Sequence, residues 1–177
     1  VEKHHFCGFK IYPALGYYAF DEKLLPLWKY AADNGLPVLT HCIRGTIYYR
    51  GWKKPEWYEH PVFEEFAGRN AAGEMQFRPL ILPERKNVNY SVNFTHPMNY
   101  LCLLEEPLLR KIIGRSTDQR LQSLFGYRDM DTPLSSDLRH LKICIGHFGG
   151  DAEWKDFLEK DRDNYSSKLN EFPESGL

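Results

Sequence analysis

The stretch CGFKIYPALGYYAFDEKLLPLWKYAADNGLPVLTHC, residues 7–42, decides the fold class of this chain. It predicts a short apolar strand over residues 7–14, which a proline closes, and a second strand over residues 37–42. A helix is predicted between them over residues 23–34, because apolar residues recur there at helical spacing and an Asn-Gly pair follows. A strand, a helix and a strand in this order form a βαβ unit. Its two strands run parallel and are joined by a right-handed crossover.

The segments that follow continue this alternation. LKICIG, residues 141–146, predicts a third strand, and helices are predicted over residues 96–114, 117–125 and 151–164. Pro107 breaks or kinks the first of these, so that it could form two short helices. The chain is therefore predicted to be α/β with a parallel sheet, either open or closed.

Residues 43–93 do not fit the alternation. They are irregular and rich in charges, prolines and aromatic rings, and a short helix is expected near residues 61–67. A segment of this length without regular structure is usually functional or wrongly assigned. We interpret it as an inserted loop region within a single domain, residues 1–177.

Length and charge limit the classes of protein to consider. The 177 residues carry a formal net charge of -1, which gives neither a basic surface for nucleic acid nor a polybasic membrane patch. No apolar run approaches the roughly 18 residues of a membrane span, and the first ten residues lack the apolar core of a signal peptide. Four cysteines without a C-x-x-C pair are typical of reduced thiols, so we expect a cytoplasmic protein. Val1 is not a natural start, which suggests that the chain begins partway through a longer protein.

Two of the predicted strands end on a histidine that a glycine soon follows. His41 shares a strand face with Leu39, and His147 shares a face with Ile145. The carboxyl ends of parallel strands are where α/β folds build their chemistry, and neutral imidazole is a common zinc ligand. The pair therefore indicates a divalent metal site. The alternative for each is a strand-end histidine that only hydrogen-bonds a backbone carbonyl.

Glycines surround the second of these histidines. Gly146, Gly149 and Gly150 would let the backbone turn tightly and approach a bound group closely. A flavodoxin-like sheet that binds a phosphate at this GHFGG segment is a weaker alternative, because it leaves His41 without a role.

Three segments together resemble one known family. They are GFKIYPALGYYAFDEKLLPLWKYAADNGLPVLTHC, THPMNYL and LKICIGHFGG, in that order, and they lie between residues 8 and 150. The chain resembles the amidohydrolase superfamily in its amidohydrolase-related branch. That branch includes metal-dependent hydrolases, and decarboxylases such as aminocarboxymuconate semialdehyde decarboxylase. The resemblance implies a (β/α)8 TIM-type barrel, of which this chain would hold strands four to six with their helices.

The resemblance also implies roles for three residues. His41 matches the fifth-strand metal-ligand histidine, and His147 matches the sixth-strand histidine that binds the metal or its water. Lys10 lies in the fourth strand, where some branches carry a carboxylated lysine that bridges two metals; the alternative is a charge paired inside the barrel mouth. The implied cofactor is a divalent metal, most plainly zinc, with manganese as an alternative.

Two features of the family have no counterpart in this sequence. These are the H-x-H pair of the first strand and the aspartate of the eighth strand, which serves as general base. His4 and His5 are adjacent, so on a strand they would face opposite ways. The sequence therefore predicts a partial barrel, which missing parts of the chain or association into a homo-oligomer would complete.

Four further side chains are candidates for binding the substrate. Arg44 could hold a carboxylate bidentately or be a solvated loop arginine. Tyr48 and Trp52 belong to the inserted region, whose aromatic rings could line the substrate or pin the insertion onto the barrel. His96 could face the site from the start of a helix, or make a local hydrogen bond there.

The predicted function is that of a metal-dependent hydrolase. It would act on a small substrate with a carboxylate or carbonyl group through a metal-activated water, with His147 as a catalytic residue. Non-oxidative decarboxylation by the same machinery is one alternative. The other is a catalytically inactive remnant that acts as a binding or assembly module, because much of the family's ligand set is missing.

Overall fold

The computed structural model describes residues 5–43 and 48–149. In chain order the helices and strands are β1 (Phe9–Ile11), α1 (Leu25–Asp33), β2 (Pro37–Ile43), β3 (Glu59–Arg69), β4 (Met75–Ile81), α2 (Val92–Thr95), α3 (Leu101–Leu104), α4 (Glu106–Arg115), α5 (Gln119–Phe125) and β5 (Lys142–Gly149). Strands β1, β2 and β5 form a parallel sheet in the spatial order β1-β2-β5. The predicted α/β class with a parallel sheet is therefore confirmed.

Helix α1 occupies the middle of the predicted helical segment, residues 23–34. The Asp21 carboxylate accepts a hydrogen bond from the backbone N–H of Lys23 (3.0 Å) in the turn before the helix. Pro26 lies in the first turn, where a missing N–H has no helical partner to lose. Gly35 follows the helix at φ +63°, a conformation that favours glycine and ends the helix.

The buried face of α1 ties the helix to the sheet. Leu25, Trp28 and Ala31 are buried and belong to one apolar cluster with Val38 of β2. The Trp28 indole N–H donates to the carbonyl of Ala19 (2.7 Å), so the polar group of this buried ring is satisfied. Burying an apolar side chain of this size contributes roughly 1.5–3 kcal/mol, which makes this contact a main source of stability for the βαβ unit.

The two faces of the parallel sheet differ in their surroundings. Val38 and Thr40 of β2 point into the core, whereas Leu39 between them is 40% exposed. Lys10 of β1 and Cys144 of β5 lie beside Leu39 in register, and both are exposed. We call the face formed by Lys10, Leu39 and Cys144 the open face. Parallel sheets are normally covered on both faces, so the open face is unusual for this type of sheet.

Part of the inserted region is a β-hairpin, so the short helix expected near residues 61–67 is wrong. Strands β3 and β4 pair antiparallel, and the Asn70 side chain accepts hydrogen bonds from two backbone N–H groups of the connecting turn. Gly73 completes this turn at φ +84°. An Asx turn with a glycine in the left-handed region is a common way to connect two strands.

Prolines are the reason that the sequence did not predict this hairpin. Pro61 lies in β3 and Pro79 in β4, and a proline has no N–H to donate to a strand ladder. A two-stranded ribbon leaves one edge of each strand without a partner strand. The register of β3 against β4 also shifts between Glu59 and Glu64, which places Pro61 in an irregular part of the ladder.

The segment predicted as helical over residues 96–114 is divided. Helix α3 ends at Leu104, and α4 begins at Glu106 with Pro107 in its first turn. The expectation of two short helices is therefore confirmed, with the break just before the proline.

The helices predicted in the C-terminal half of the chain can be compared with the structure in part. Helix α5 confirms the helix predicted over residues 117–125, and Asp118 caps it by accepting from the backbone N–H of Arg120 (2.9 Å). The helix predicted over residues 151–164 lies outside the described residues. Within the described part of the chain, no helix combines the length and apolar character needed to cross a membrane.

A buried histidine joins the hairpin to the helical part of the domain. His60 Nδ1 accepts from the backbone N–H groups of Val62 (3.1 Å) and Phe63 (2.8 Å), and His60 Nε2 donates to Asn99 Oδ1 (3.0 Å). Asn99 in turn donates to the backbone carbonyl of Asn93 (2.8 Å). Burial lowers the pKa of His60 to about 3, so the ring is neutral in the folded protein at ordinary pH.

This histidine predicts a pH dependence of stability. The unfolded chain binds a proton at His60 below about pH 6.5, whereas the folded chain does not until far lower pH. The free energy of unfolding therefore decreases as the pH is lowered below about 6.5. His60→Gln keeps hydrogen-bonding atoms but does not titrate. We expect wild type to exceed this variant in free energy of unfolding at about pH 7.5, and we expect that gap to be about 2 kcal/mol smaller at about pH 5. Urea unfolding at both pH values measures this, with His140→Gln, at an exposed histidine, as the matched control. A constant difference between His60→Gln and wild type would contradict the prediction.

Candidate metal centre

His41 lies at the end of β2, on the side of the sheet that carries the open face. Its side chain is 6% exposed, and its register partner in β5 is Gly146. Gly146 has no room for a side chain, because a Cβ there would lie 2.4 Å from the carbonyl oxygen of Thr40. Gly146 was expected to let the backbone approach a bound group. In the structure it lets β5 approach β2.

A bulge in β5 places the second histidine. His41 pairs with Gly146 and Ile43 pairs with Gly149, so two steps along β2 correspond to three along β5. The extra residue lies in the stretch that contains His147, whose backbone has φ +62°. Bulges bend a strand and redirect its side chains, and they are enriched next to active sites.

Regular alternation alone would not bring the two histidines together. Thr40 and Ile145 are register partners on the core face, so an undistorted β5 would also point His147 toward the core. In the structure the ring of His147 instead meets the ring of His41, with centroids 4.7 Å apart and planes at 73°. The predicted convergence therefore occurs, and the bulge with its left-handed residue accounts for it.

The environment of His41 favours the neutral form of its ring. Burial lowers the pKa of His41, and the neighbouring His147 and the positive charge of Lys10 lower it further. A neutral imidazole has a lone pair on one ring nitrogen, which is the form that binds a metal ion.

Tyr12 is part of the same group, although it is not among the residues predicted from the sequence. Its hydroxyl lies 3.1 Å from His41 Nε2, and its ring packs on the His41 ring with centroids 4.1 Å apart and planes at 32°. The backbone N–H of Tyr12 donates to the hydroxyl of Tyr17 (2.8 Å), which anchors the residue just after β1. A register argument could have found it, because Tyr12 follows Lys10 by two residues and so lies on the side of Lys10 and Leu39.

No contact with His41 or His147 is described for the other residues predicted to form the site. Lys10 is exposed on the open face, opposite Leu39. Tyr48 is 61% exposed and Trp52 is 86% exposed. Arg44 lies outside the described residues.

His96 has a local structural contact. Its Nδ1 accepts from the backbone N–H of Met98 (3.2 Å) and so caps the 3-10 segment Pro97–Tyr100. This is the local hydrogen bond expected as the alternative to a substrate-binding role for His96.

The two imidazoles supply part of the set of donors that a zinc-like divalent ion needs. The imidazoles of His41 and His147 are nitrogen donors of the kind that zinc prefers, at adjacent strand ends. Over residues 5–43 and 48–149, no group of three or more histidine, cysteine, aspartate and glutamate side chains could hold a metal ion. The two imidazoles would therefore hold such an ion together with donors of another type or from elsewhere.

Comparison of the chain with protein-family models, with curated proteins and with solved structures finds no match. The case for a function therefore depends on the geometry at the strand ends.

The left-handed backbone at His147 leads to a prediction about stability. A residue with a Cβ in this conformation costs roughly 1–2 kcal/mol, which glycine avoids. We expect His147→Gly to be more stable toward urea than His147→Ala by about 1 kcal/mol. At His140, which does not have a positive φ, glycine should give no such advantage over alanine. Equal stability of the two variants at position 147 would contradict the bulge geometry.

Proposed function

We propose that this chain is part of a metal-dependent hydrolase of the amidohydrolase-related type. The observation that carries the proposal is the contact of the His41 and His147 rings, 4.7 Å apart, at the carboxyl ends of two adjacent parallel strands. The bulge supports it further, because a left-handed residue is a local cost that persists where the surrounding structure requires it.

We also propose that the parallel sheet is part of a (β/α)8 barrel. The side of the sheet that carries Lys10, Leu39 and Cys144 would then line the barrel interior, which explains why it bears exposed apolar surface. His41 and His147 would lie at the rim where barrels place their active sites. Further strands, from the same protein or from a second copy, would close the barrel.

The chemistry proposed for this rim divides between the two histidines. A bound divalent ion, most plainly zinc, would lower the pKa of its water and polarise a carbonyl group. His41 would bind the ion, and His147 would bind it or orient the attacking water. The substrate would be a small molecule with a carboxylate or carbonyl group, held by Arg44 and aromatic residues of the inserted region. Lys10, on the same side of the sheet, remains a candidate to bridge a second metal ion.

A second candidate function is a binding or assembly module without catalysis. It is favoured by the limited donor set, since the described residues bring together only two imidazoles of the usual metal-ligating types. Such a protein would bind no metal and would form stable oligomers through the open face.

Zinc binding separates these candidates. We expect the purified chain to bind zinc stoichiometrically, measured by metal analysis after dialysis and by calorimetric titration. His41→Ala and His147→Ala should each weaken binding at least about tenfold, since outer-shell changes alone have effects of that size. His140→Ala is the matched control, because it removes an exposed imidazole that precedes β5, at the opposite end of that strand from His147.

Two outcomes would count against the hydrolase. One is a wild-type chain that retains no zinc; if it also forms stable oligomers in light scattering, the assembly module is the better account. The other is an equal loss of zinc in His140→Ala, which would mean that the metal binds to surface imidazoles at random.

A further inference from the structure

The two segments that flank the β3–β4 hairpin lie against each other. Residues 48–58 precede the hairpin, and residues 82–91 follow it. The backbone N–H of Tyr49 donates to the carbonyl of Asn87 (3.0 Å), and the ring of Tyr49 packs on the ring of Tyr90, with centroids 4.8 Å apart. The two segments therefore form one surface region, which we call the aromatic-basic patch.

The aromatic-basic patch has an excess of positive charge. Its charged side chains are five cations and two carboxylates, namely Arg50, Lys53, Lys54, Arg85, Lys86, Glu56 and Glu84. In the described part of the chain none of the five cations forms an ion pair with a carboxylate, although ion pairs occur in α1, α4 and the hairpin. The whole chain has a net charge of -1, from which no basic surface for nucleic acid was expected. A net charge averages over the molecule and does not describe one region of it.

Positive groups lie over aromatic rings within the patch. The Lys54 ammonium is 5.9 Å from the centroid of the Trp57 ring, and the Arg85 guanidinium is 5.0 Å from that of the Tyr58 ring. Lysine and arginine are attracted to the negative faces of such rings. Charge and flat apolar surface therefore occur side by side, and a ligand that covers the patch meets both.

Trp52 presents the most open ring of the patch. Its side chain is 86% exposed, and within residues 48–149 it makes no ring–ring or cation–π contact. Tyr48 of the same segment is 61% exposed. The Trp52 indole is therefore available to stack on a flat partner, with Arg50 and Lys53 close to it in the chain.

A single-stranded nucleic acid matches both properties of the patch. Its phosphates pair with lysine and arginine, and its unpaired bases stack on aromatic side chains. A membrane surface fits less well, because interfacial anchors bury a continuous apolar face. Among the branched aliphatic side chains of the patch only Val88 is exposed, at 39%. An acidic peptide would match the charges but would leave the open indole without a role.

We propose that the aromatic-basic patch binds single-stranded nucleic acid. A base stacks on Trp52, and phosphates are bound by the exposed cations Arg50, Lys54 and Lys86. This inference goes beyond the proposed hydrolase function and does not depend on a bound metal.

Four substitutions separate stacking from charge. Trp52→Leu keeps an apolar side chain but removes the flat ring, whereas Trp52→Tyr keeps a ring. Arg50→Gln and Lys86→Gln each remove one positive charge of the patch. Arg120→Gln is the matched control, because it removes an exposed positive charge from α5. All these side chains are exposed, and thermal unfolding checks that each variant is folded.

The first measurement is affinity for a fluorescently labelled oligothymidine of about 12 nucleotides, from fluorescence anisotropy at low salt. Loss of a stacking ring should weaken binding by about 5- to 150-fold in Trp52→Leu. Trp52→Tyr should bind within about threefold of wild type, since any aromatic face can stack on a base. A wild-type chain that does not bind the oligonucleotide, or a Trp52→Leu variant that binds as tightly as wild type, would overturn the proposal.

The second measurement is the dependence of that affinity on salt. For single strands the slope of log K against log salt concentration is about -0.7 for each phosphate contacted. Arg50→Gln and Lys86→Gln should each make the slope shallower by about 0.7, whereas Trp52→Leu should lower the affinity and leave the slope unchanged. An equal change of slope in Arg120→Gln would mean that the attraction is spread over the surface, and the patch would lose its role.

Two further probes decide between classes of partner. A duplex keeps its bases stacked inside, so Trp52→Leu should weaken binding of the single strand and not of a duplex with the same sequence. An equal loss for both would count against stacking. Binding of vesicles that contain phosphatidylserine, without binding of the oligonucleotide, would show a membrane-facing surface and overturn the proposal. None of these measurements involves zinc, so their failure and the failure of the hydrolase proposal are distinguishable.

Discussion

The candidate site depends on one constraint, the register of β2 against β5. Up to His41 and Gly146 the two strands run in regular parallel register, and the next pair is Ile43 with Gly149. The extra residue of β5 must be accommodated within three positions, and the left-handed backbone of His147 accommodates it. Without this irregularity the two imidazoles would lie on opposite sides of the sheet.

The rest of the domain makes that register rigid. Side chains of β2 that point away from His41 are packed in the core, and the hydroxyl of Thr40 is hydrogen-bonded to that of Tyr100. Helix α1 covers the same face through Trp28. A slip of β2 by one residue would expose this apolar set, so the core fixes which residues arrive at the strand end.

Much of this could be predicted from the sequence, because the βαβ unit is encoded locally. The apolar periods, the Asn-Gly stop after α1 and the position of His41 all follow from neighbouring residues. The bulge could not be predicted, since it is a relation between two strands separated by about 100 residues of chain. Strand alternation was the basis for predicting that His41 and His147 converge, but it did not include the register of the two strands. The rings do meet, because of the bulge in β5 and not because of regular alternation.

Two other features show the same limit. Tyr12 stands beside His41 only once β1 is placed in register with β2, so no local motif marks it. The β3–β4 hairpin contains prolines that argue locally against strands, and an isolated ribbon tolerates them because each strand has a partner on one edge only. The rule that prolines argue against strands therefore applies better to a strand with two neighbours than to a strand in a two-stranded ribbon.

The thiol groups give the open face a chemical reporter. Cys144 is exposed beside Leu39, whereas Cys42 and Cys102 are buried and burial raises the pKa of both thiols. Alkylating reagents act on thiolates that solvent can reach, so among these three residues Cys144 should be modified first. Whatever comes to lie on this side of the sheet would shield that sulfur, so the alkylation rate of Cys144 reads out whether the face is covered.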